Sequence, residues 1–183
     1  LRPQRARIAR CAARQHRLDQ QLLEVLQHDR LAAGLAGAAA GAGAGASGKV
    51  LAFASSKPGS GASTLATQTA FALQRLTGKR ILLADFDLAG GTIGFYLKLN
   101  HQYSVVDALQ HAEKMDVTLW GSMAVAHASV DILPSPAAPY ADPVDPSRIR
   151  MLIEHAKRLY DWVILDLPSV FHRTSLIAIS AAD

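Results

Sequence analysis

The stretch SSKPGSGAST, at residues 55–64, carries residue types that bind phosphate. Gly59 and Gly61 can adopt backbone conformations closed to other residues, so consecutive N–H groups can converge on an anion. Ser63 and Thr64 follow, and their hydroxyls could reach Mg²⁺ and a phosphate oxygen. An apolar run precedes the stretch and an amphipathic run follows it, which is the context that a phosphate-binding loop requires. The alternative is a tight turn without a ligand, because Ala62 stands where such loops carry a lysine.

Carboxylates at the ends of two apolar runs add a second kind of chemistry. Asp85 and Asp87 close the run ILLADFD, and Asp166 closes the run WVILD. A carboxylate at the end of a buried strand is costly unless it is solvated, paired or facing a metal. Any one of them alone could be a plain strand-end residue. Together with the loop, the three predict Mg²⁺ with its waters.

These residues need a scaffold of alternating strands and helices. Short apolar runs predict strands that are buried on both faces, and amphipathic segments between them predict helices. Strands separated by helices indicate an α/β fold with a mostly parallel sheet, whose ligands bind at the carboxyl ends of the strands. The predicted strands are 50–55, 80–85, 130–135 and 162–166, and the predicted helices are 63–76, 104–110 and 145–160.

The N-terminal part of the chain has a different composition. Apolar residues recur at helical spacing from Ile8 to Val25, which predicts an amphipathic helix. The segment GAAAGAGAGASG has too few large side chains to build a core. We therefore predict three parts: a connector helix in residues 1–36, a Gly/Ala linker in 37–48 and a domain in 49–183. The basic excess lies in residues 1–30, where seven arginines face three acidic residues; we read it as a solvated helix face, without strong evidence for nucleic-acid binding.

Composition narrows the class of protein. The chain has 183 residues, of which 50% are hydrophobic, and no long apolar segment. It contains one cysteine, Cys11, which excludes an internal disulfide, and it opens without a signal-peptide pattern; a cytoplasmic address is therefore expected. Its seven histidines form no pair at metal-ligand spacing.

Beyond the linker, the sequence resembles the MinD/ParA class of deviant P-loop ATPases and, within it, the CpaE/TadZ family of Tad pilus-assembly proteins. The resemblance implies a three-layer sandwich with a mostly parallel sheet, which we expect to be truncated at its C-terminal side. Residues KPGSGAST, LLADFDLAGGTIGFYL, YSVVDAL and YDWVILDLPS carry it.

The resemblance also implies a role for each matching residue. The cofactors would be ATP or ADP and Mg²⁺. Lys57 would reach a phosphate across a dimer, Thr64 would contact the inner phosphate, and Asp87 would orient the attacking water. Mg²⁺ would be held by Ser63 and, through water, by Asp166, with Asp85 close to the metal. The nucleotide-binding set is Lys57, Pro58, Gly59, Ser60, Gly61, Ala62, Ser63 and Thr64.

Departures from the class pattern shape the expected function. Ser56 and Pro58 occupy places usually held by glycine, and Ala62 replaces the second lysine, so we expect weak or absent hydrolysis. The leading interpretation is a cytoplasmic, nucleotide-binding homodimer that serves as a scaffold or localisation factor for Tad-type pilus assembly. Its expected partners are pilus-assembly proteins, with an address at the cell pole or the inner-membrane face, where it could associate peripherally. The alternatives are an active MinD/ParA-type ATPase and, less favoured because Ala89 replaces an expected arginine, a bacterial tyrosine kinase.

Overall fold

The structure is a computed structural model that describes residues 47–170 and 173–183. The chain divides into two units, Leu1–Ala44 and Gly45–Asp183, and the described residues all belong to the second. The predicted connector helix in 1–36 and nearly all of the linker in 37–48 lie outside the described residues. Their prediction is therefore untested.

Five strands form one mixed sheet in the described part of the chain. Its order is β1-β5-β2-β4-β3, so the last of the described strands lies between the first two. All neighbouring strands run parallel except β3, which is antiparallel to β4. This confirms the predicted α/β sandwich with a mostly parallel sheet. The strands are β1 (Lys49–Ala54), β2 (Ile81–Asp85), β3 (Val125–His127), β4 (Val130–Leu133) and β5 (Trp162–Leu167).

The two central strands are buried along their whole length. Every residue of β2 and β5 is buried, as the continuous apolar runs predict for strands covered by helices on both faces. Helices pack against this sheet: α1 (Ala62–Thr77) contacts β5 and β2, and α5 (Pro146–Leu159) contacts β5. The core therefore lies on both sides of the strands that carry Asp85 and Asp166.

Local sequence explains where the two long helices begin and end. Gly61, with φ +89°, precedes α1, and Gly78, with φ +63°, ends it by donating its N–H to the Gln74 carbonyl. Asp145 precedes α5, and its carboxylate accepts from the Ser147 N–H. The remaining helices are α2 (Ile93–Tyr96), α3 (Val105–Gln110), α4 (Val117–Met123) and α6 (Arg173–Ser180), with a 3₁₀ turn at Ala112–Lys114.

The hairpin between β3 and β4 was not predicted. His127 pairs with Val130, and the two residues between them, Ala128 and Ser129, have φ values of +46° and +66°. Two central residues with positive φ form the turn type that matches the twist of a hairpin, but glycine and asparagine usually occupy it. The usual sequence signal for a hairpin is therefore missing.

Gly48, at the end of the predicted linker, is part of the folded domain. It is buried, and its N–H donates to the Lys157 carbonyl at 2.9 Å. A Cβ atom at this position would lie 2.0 Å from the Tyr160 carbonyl oxygen, so only glycine fits. In the described ranges, no helix is long and apolar enough to cross a membrane.

Candidate functional site

The predicted phosphate loop connects β1 to α1. Gly59 and Gly61 have φ values of +77° and +89°, a backbone region that favours glycine. The loop from Ser56 to Gly61 is exposed, and Gly61 leaves the start of α1 without a side-chain cap. The first N–H groups of a helix need partners, so this end of α1 is open to an anion.

The predicted nucleotide-binding set spans the loop and the start of α1. Lys57 and Pro58 are exposed, and the Lys57 carbonyl accepts from the Ser60 N–H at 3.3 Å. Ala62 and Ser63, at the start of α1, are half-buried, whereas Thr64 is exposed. The loop therefore presents backbone groups and a lysine at its surface, with no lysine at the start of the helix.

Two aspartates stand side by side at the carboxyl edge of the sheet. Asp85 pairs with Asp166 in the register of β2 and β5, and the two are 0% and 1% exposed. The Ser63 hydroxyl lies close enough to the Asp166 carboxylate to lower its pKa. The start of α1 and the end of β5 therefore meet at this edge, and the structure brings three predicted metal-site residues together.

Burial makes both carboxyl groups weaker acids than usual. Burial and the neighbouring Asp85 and Asp87 raise the pKa of Asp166, the Ser63 hydroxyl lowers it, and the net value is about 7. Burial raises the pKa of Asp85 to about 6, against the lowering effect of hydrogen bonds from the backbone of Ile93 and Asp87. A cation at this edge would favour the charged forms.

The Asp166 side chain has the chemistry that a magnesium ion needs. Its Oδ1 atom is buried and has no hydrogen-bond partner. An unpaired buried carboxylate oxygen next to a serine hydroxyl offers two hard oxygen atoms, which suit Mg²⁺ either as direct ligands or through a bound water. The described part of the chain contains no group of three or more acidic, histidine or cysteine side chains that could hold a metal by themselves. Mg²⁺ usually keeps waters and substrate phosphates as its other ligands.

Asp87 lies in the turn that follows β2. Its Oδ1 atom accepts from the N–H groups of Ala89 and Gly90, at 3.3 and 2.9 Å, and its carbonyl accepts from the Gly91 N–H. The carboxylate is half-buried and lines a groove of about 1030 Å³ that Arg173 also borders. Asp87 is therefore held in one orientation, at the rim of the sheet edge.

One residue of this site was missed by the sequence prediction. Ser135 follows β4 at the same edge of the sheet, is 6% exposed, and its hydroxyl lies beside the Asp85 carboxylate, whose pKa it lowers. The available signal was its position at the end of the predicted strand 130–135. A serine there is ordinary in sequence, so only the strand order indicates its partner.

Comparisons with known proteins agree with this geometry. The AAA domain family matches residues 48–183. Among solved structures, a ParA family ATPase from Chlorobium tepidum TLS is 27% identical with a TM-score of 0.66, over 74% of this chain and 57% of that chain. The MinC:MinD cell division protein complex of Aquifex aeolicus is 27% identical with a TM-score of 0.59, over 74% of this chain and 53% of that one.

A third solved structure shares the fold. The septum site-determining protein MinD from Pyrococcus horikoshii OT3, complexed with Mg-ADP, is 21% identical with a TM-score of 0.59, over 73% of this chain and 54% of that chain. The chain thus spans little more than half the length of these structures. No protein of curated function matches its sequence.

Proposed function

This chain belongs to the AAA domain family as a MinD/ParA-like member of the P-loop ATPase class, and from that premise we propose that it binds ATP or ADP together with Mg²⁺. One observation carries the proposal. The exposed glycine loop and the open start of α1 bring the Ser63 hydroxyl beside the Asp166 carboxylate, whose Oδ1 atom has no hydrogen-bond partner. Phosphate and metal sites therefore adjoin each other, as a Mg-nucleotide requires.

Each predicted residue takes a definite part in this function. Backbone N–H groups around Gly59 and Gly61 bind the phosphates, and the Thr64 hydroxyl at the start of α1 adds a further donor. Ser63 would hold Mg²⁺ directly and Asp166 through water, while Asp85 adds charge beside it. When bound, Mg²⁺ neutralises phosphate charge.

The missing lysine weakens binding and affects catalysis more. A hydrogen bond from a charged group is worth about 1.5–3 kcal/mol, so its absence at Ala62 weakens nucleotide binding by roughly 10- to 150-fold. The backbone donors, the metal and Lys57 partly offset this loss. A preorganised charge in the transition state commonly contributes on the order of 100- to 1,000-fold in rate. Asp87 can still orient a water, but turnover stays close to the detection limit.

A nucleotide-dependent scaffold is the biological role that fits these properties. Without fast turnover, the nucleotide acts by favouring a homodimer, to which Lys57 contributes across the interface. The altered loop with Ala62, and the segment YSVVDAL, support the CpaE/TadZ family and hence a part in Tad-type pilus assembly. Under this proposal the dimer positions pilus-assembly proteins in the cytoplasm, at the cell pole or the inner-membrane face. An active MinD/ParA-type ATPase is the alternative.

Calorimetry with the full chain tests nucleotide binding. We expect Mg-ATP and Mg-ADP to bind in the micromolar-to-millimolar range, and EDTA to weaken both. Asp166→Asn should weaken binding only when Mg²⁺ is present, because it alters the metal site alone. Glu154→Gln is the matched control, since it removes one carboxylate from the exposed face of α5.

Two results would contradict the proposal. Absence of binding at several millimolar Mg-ATP would leave a phosphate-loop shape without its ligand. Rapid phosphate release that Asp87→Ala abolishes would favour the active ATPase over the scaffold.

A further inference from the structure

The Asp85 carboxylate is fully engaged by the protein. Its Oδ1 atom accepts from the Asp87 N–H at 3.1 Å, and its Oδ2 atom accepts from the Ile93 N–H at 3.2 Å. The Ser135 hydroxyl packs beside this carboxylate and lowers its pKa. These groups come from both ends of the turn after β2 and from the end of β4. Asp85 therefore ties three backbone segments together at one buried point.

Asp166, its neighbour in the sheet, differs in this respect. Both carboxylates are almost completely buried, yet Asp166 keeps one oxygen without a partner and Asp85 keeps none. A carboxylate oxygen that already accepts from N–H groups must give up those bonds before it can bind a cation. The two aspartates are equivalent in the strand register, but only Asp166 has a carboxylate oxygen that is free to bind a metal ion.

Close packing holds the turn against Asp85. A Cβ atom added to Gly91 would lie 2.2 Å from the Ser135 Oγ and 2.6 Å from the Asp85 Oδ2. The backbone at Gly91 therefore passes directly over the pair formed by these two side chains. Gly91 also donates its N–H to the Asp87 carbonyl, so the same packing holds the backbone that carries Asp87.

We propose that Asp85, held by Ser135, is a positioning residue that fixes the turn carrying Asp87, and that it does not bind the metal directly. The second part, that Asp85 is not a metal ligand, rests on the proposed function. The turn itself is positioned whether or not a nucleotide is bound, because every bond that defines it lies within the protein. Ser135, which follows β4, thereby becomes part of the site through its contact with Asp85 at the end of β2.

Amide hydrogen exchange on the nucleotide-free chain tests the positioning role. We expect Ser135→Ala to speed exchange of the Ile93 and Gly90 amides by about 5- to 10-fold relative to the core amide of Leu83, as loss of one polar contact implies. A hydroxyl that merely stabilises the whole fold would change all three amides alike. Ser122→Ala, on the exposed side of α4, is the matched control and should change none of them.

Binding of Mn²⁺ alone, followed by electron paramagnetic resonance, tests the second half of the proposal. Asp166→Asn should weaken Mn²⁺ binding at least about tenfold more than Asp85→Asn, because only Asp166 offers a free oxygen. Asp85→Asn should instead speed exchange in the turn, since an amide cannot accept at both positions.

The outcomes separate this inference from the proposed function. Equal losses of Mn²⁺ affinity in the two variants would make Asp85 a ligand and overturn the inference. So would turn amides that exchange at the wild-type rate in both Ser135→Ala and Asp85→Asn. If the wild type binds neither Mn²⁺ nor Mg-ATP, the proposed function fails, and the exchange rates alone decide whether Asp85 positions the turn.

Discussion

Asp85 and Asp166 lie directly opposite each other in neighbouring parallel strands, both buried and both with a raised pKa. Two such carboxyl groups at one sheet edge are stable as acids and unfavourable as a pair of anions. The site therefore carries an electrostatic cost that a bound cation would relieve. We expect this cost to make the stability of the domain depend on pH and on metal.

Stability without metal should fall as the pH rises from about 4 to about 7. In the folded chain Asp85 and Asp166 hold their protons up to pKa values of about 6 and 7, whereas the unfolded chain releases them near 3.8. The folded state thus binds more protons in this window, and its advantage is lost once the pH exceeds the folded pKa values. Urea denaturation in EDTA between pH 4 and 8 measures the slope.

Asp166→Asn should flatten this pH dependence, because a neutral amide removes the group with the higher pKa. The variant should therefore be more stable than the wild type at pH 8 in EDTA. Glu154→Gln removes an exposed carboxylate and should leave the slope unchanged. A wild-type stability that rises between pH 4 and 7 would mean that the two carboxyl groups do not have raised pKa values.

Ala62→Lys should tighten Mg-ATP binding by roughly 10- to 150-fold, since it restores a charged donor at the start of α1. Calorimetry measures the change, and a phosphate-release assay shows whether turnover rises with it. Gln110→Lys adds the same charge at the exposed end of α3 and serves as the control. Equal affinity in the Ala62→Lys variant and the wild type would show that position 62 does not face the phosphates.

Lys57→Ala should weaken ATP-dependent dimerisation by roughly 150-fold or more, because the dimer loses two charged contacts of about 1.5–3 kcal/mol each. Sedimentation with and without Mg-ATP measures the association. Lys114→Ala, at an exposed position of the 3₁₀ turn, should leave it unchanged. A dimer that forms equally well without nucleotide would remove this role from Lys57.

Gly48→Ala should destabilise the domain by about 1–3 kcal/mol, since its Cβ atom would overlap the Tyr160 carbonyl. Gly121→Ala is the matched control: its Cβ atom would meet nothing within 4 Å, and alanine favours the helix by roughly 0.5–1 kcal/mol. Thermal and urea denaturation should therefore move in opposite directions for the two variants. A harmless Gly48→Ala would place that residue in the linker.

Local patterns predicted four of the five described strands and three of the six described α-helices, but not the strand order. The runs at 80–85 and 162–166 correspond to β2 and β5 to within one residue, because a strand that is buried on both faces has a continuous apolar sequence. Val125–His127 was missed since three residues are too few for a pattern. The insertion of β5 between β1 and β2 depends on contacts between distant parts of the chain, which no window of sequence contains.

The site was predictable by residue type more than by role. Glycine and hydroxyl residues predict a phosphate loop, and strand-end carboxylates predict an acidic edge, where the structure pairs Asp85 with Asp166. The sequence around Asp85 and Asp87 does not indicate how the backbone N–H groups divide their hydrogen bonds between the two carboxylates. That depends on the turn back to Ile93 and on Ser135, which arrives from another strand.

The position of β5 sets an order of events during biosynthesis. β1, which leads into the phosphate loop, pairs with β5 from Lys49–Trp162 to Ala54–Leu167, and the described residues contain no other strand beside it. Among the described strands, β1 emerges from the ribosome first and β5 last, and such distant pairings form slowly. A nascent chain therefore cannot assemble the loop against Asp166 until Leu167 has left the exit tunnel. Until then β1 lacks its partner strand, and its apolar surface is exposed to aggregation.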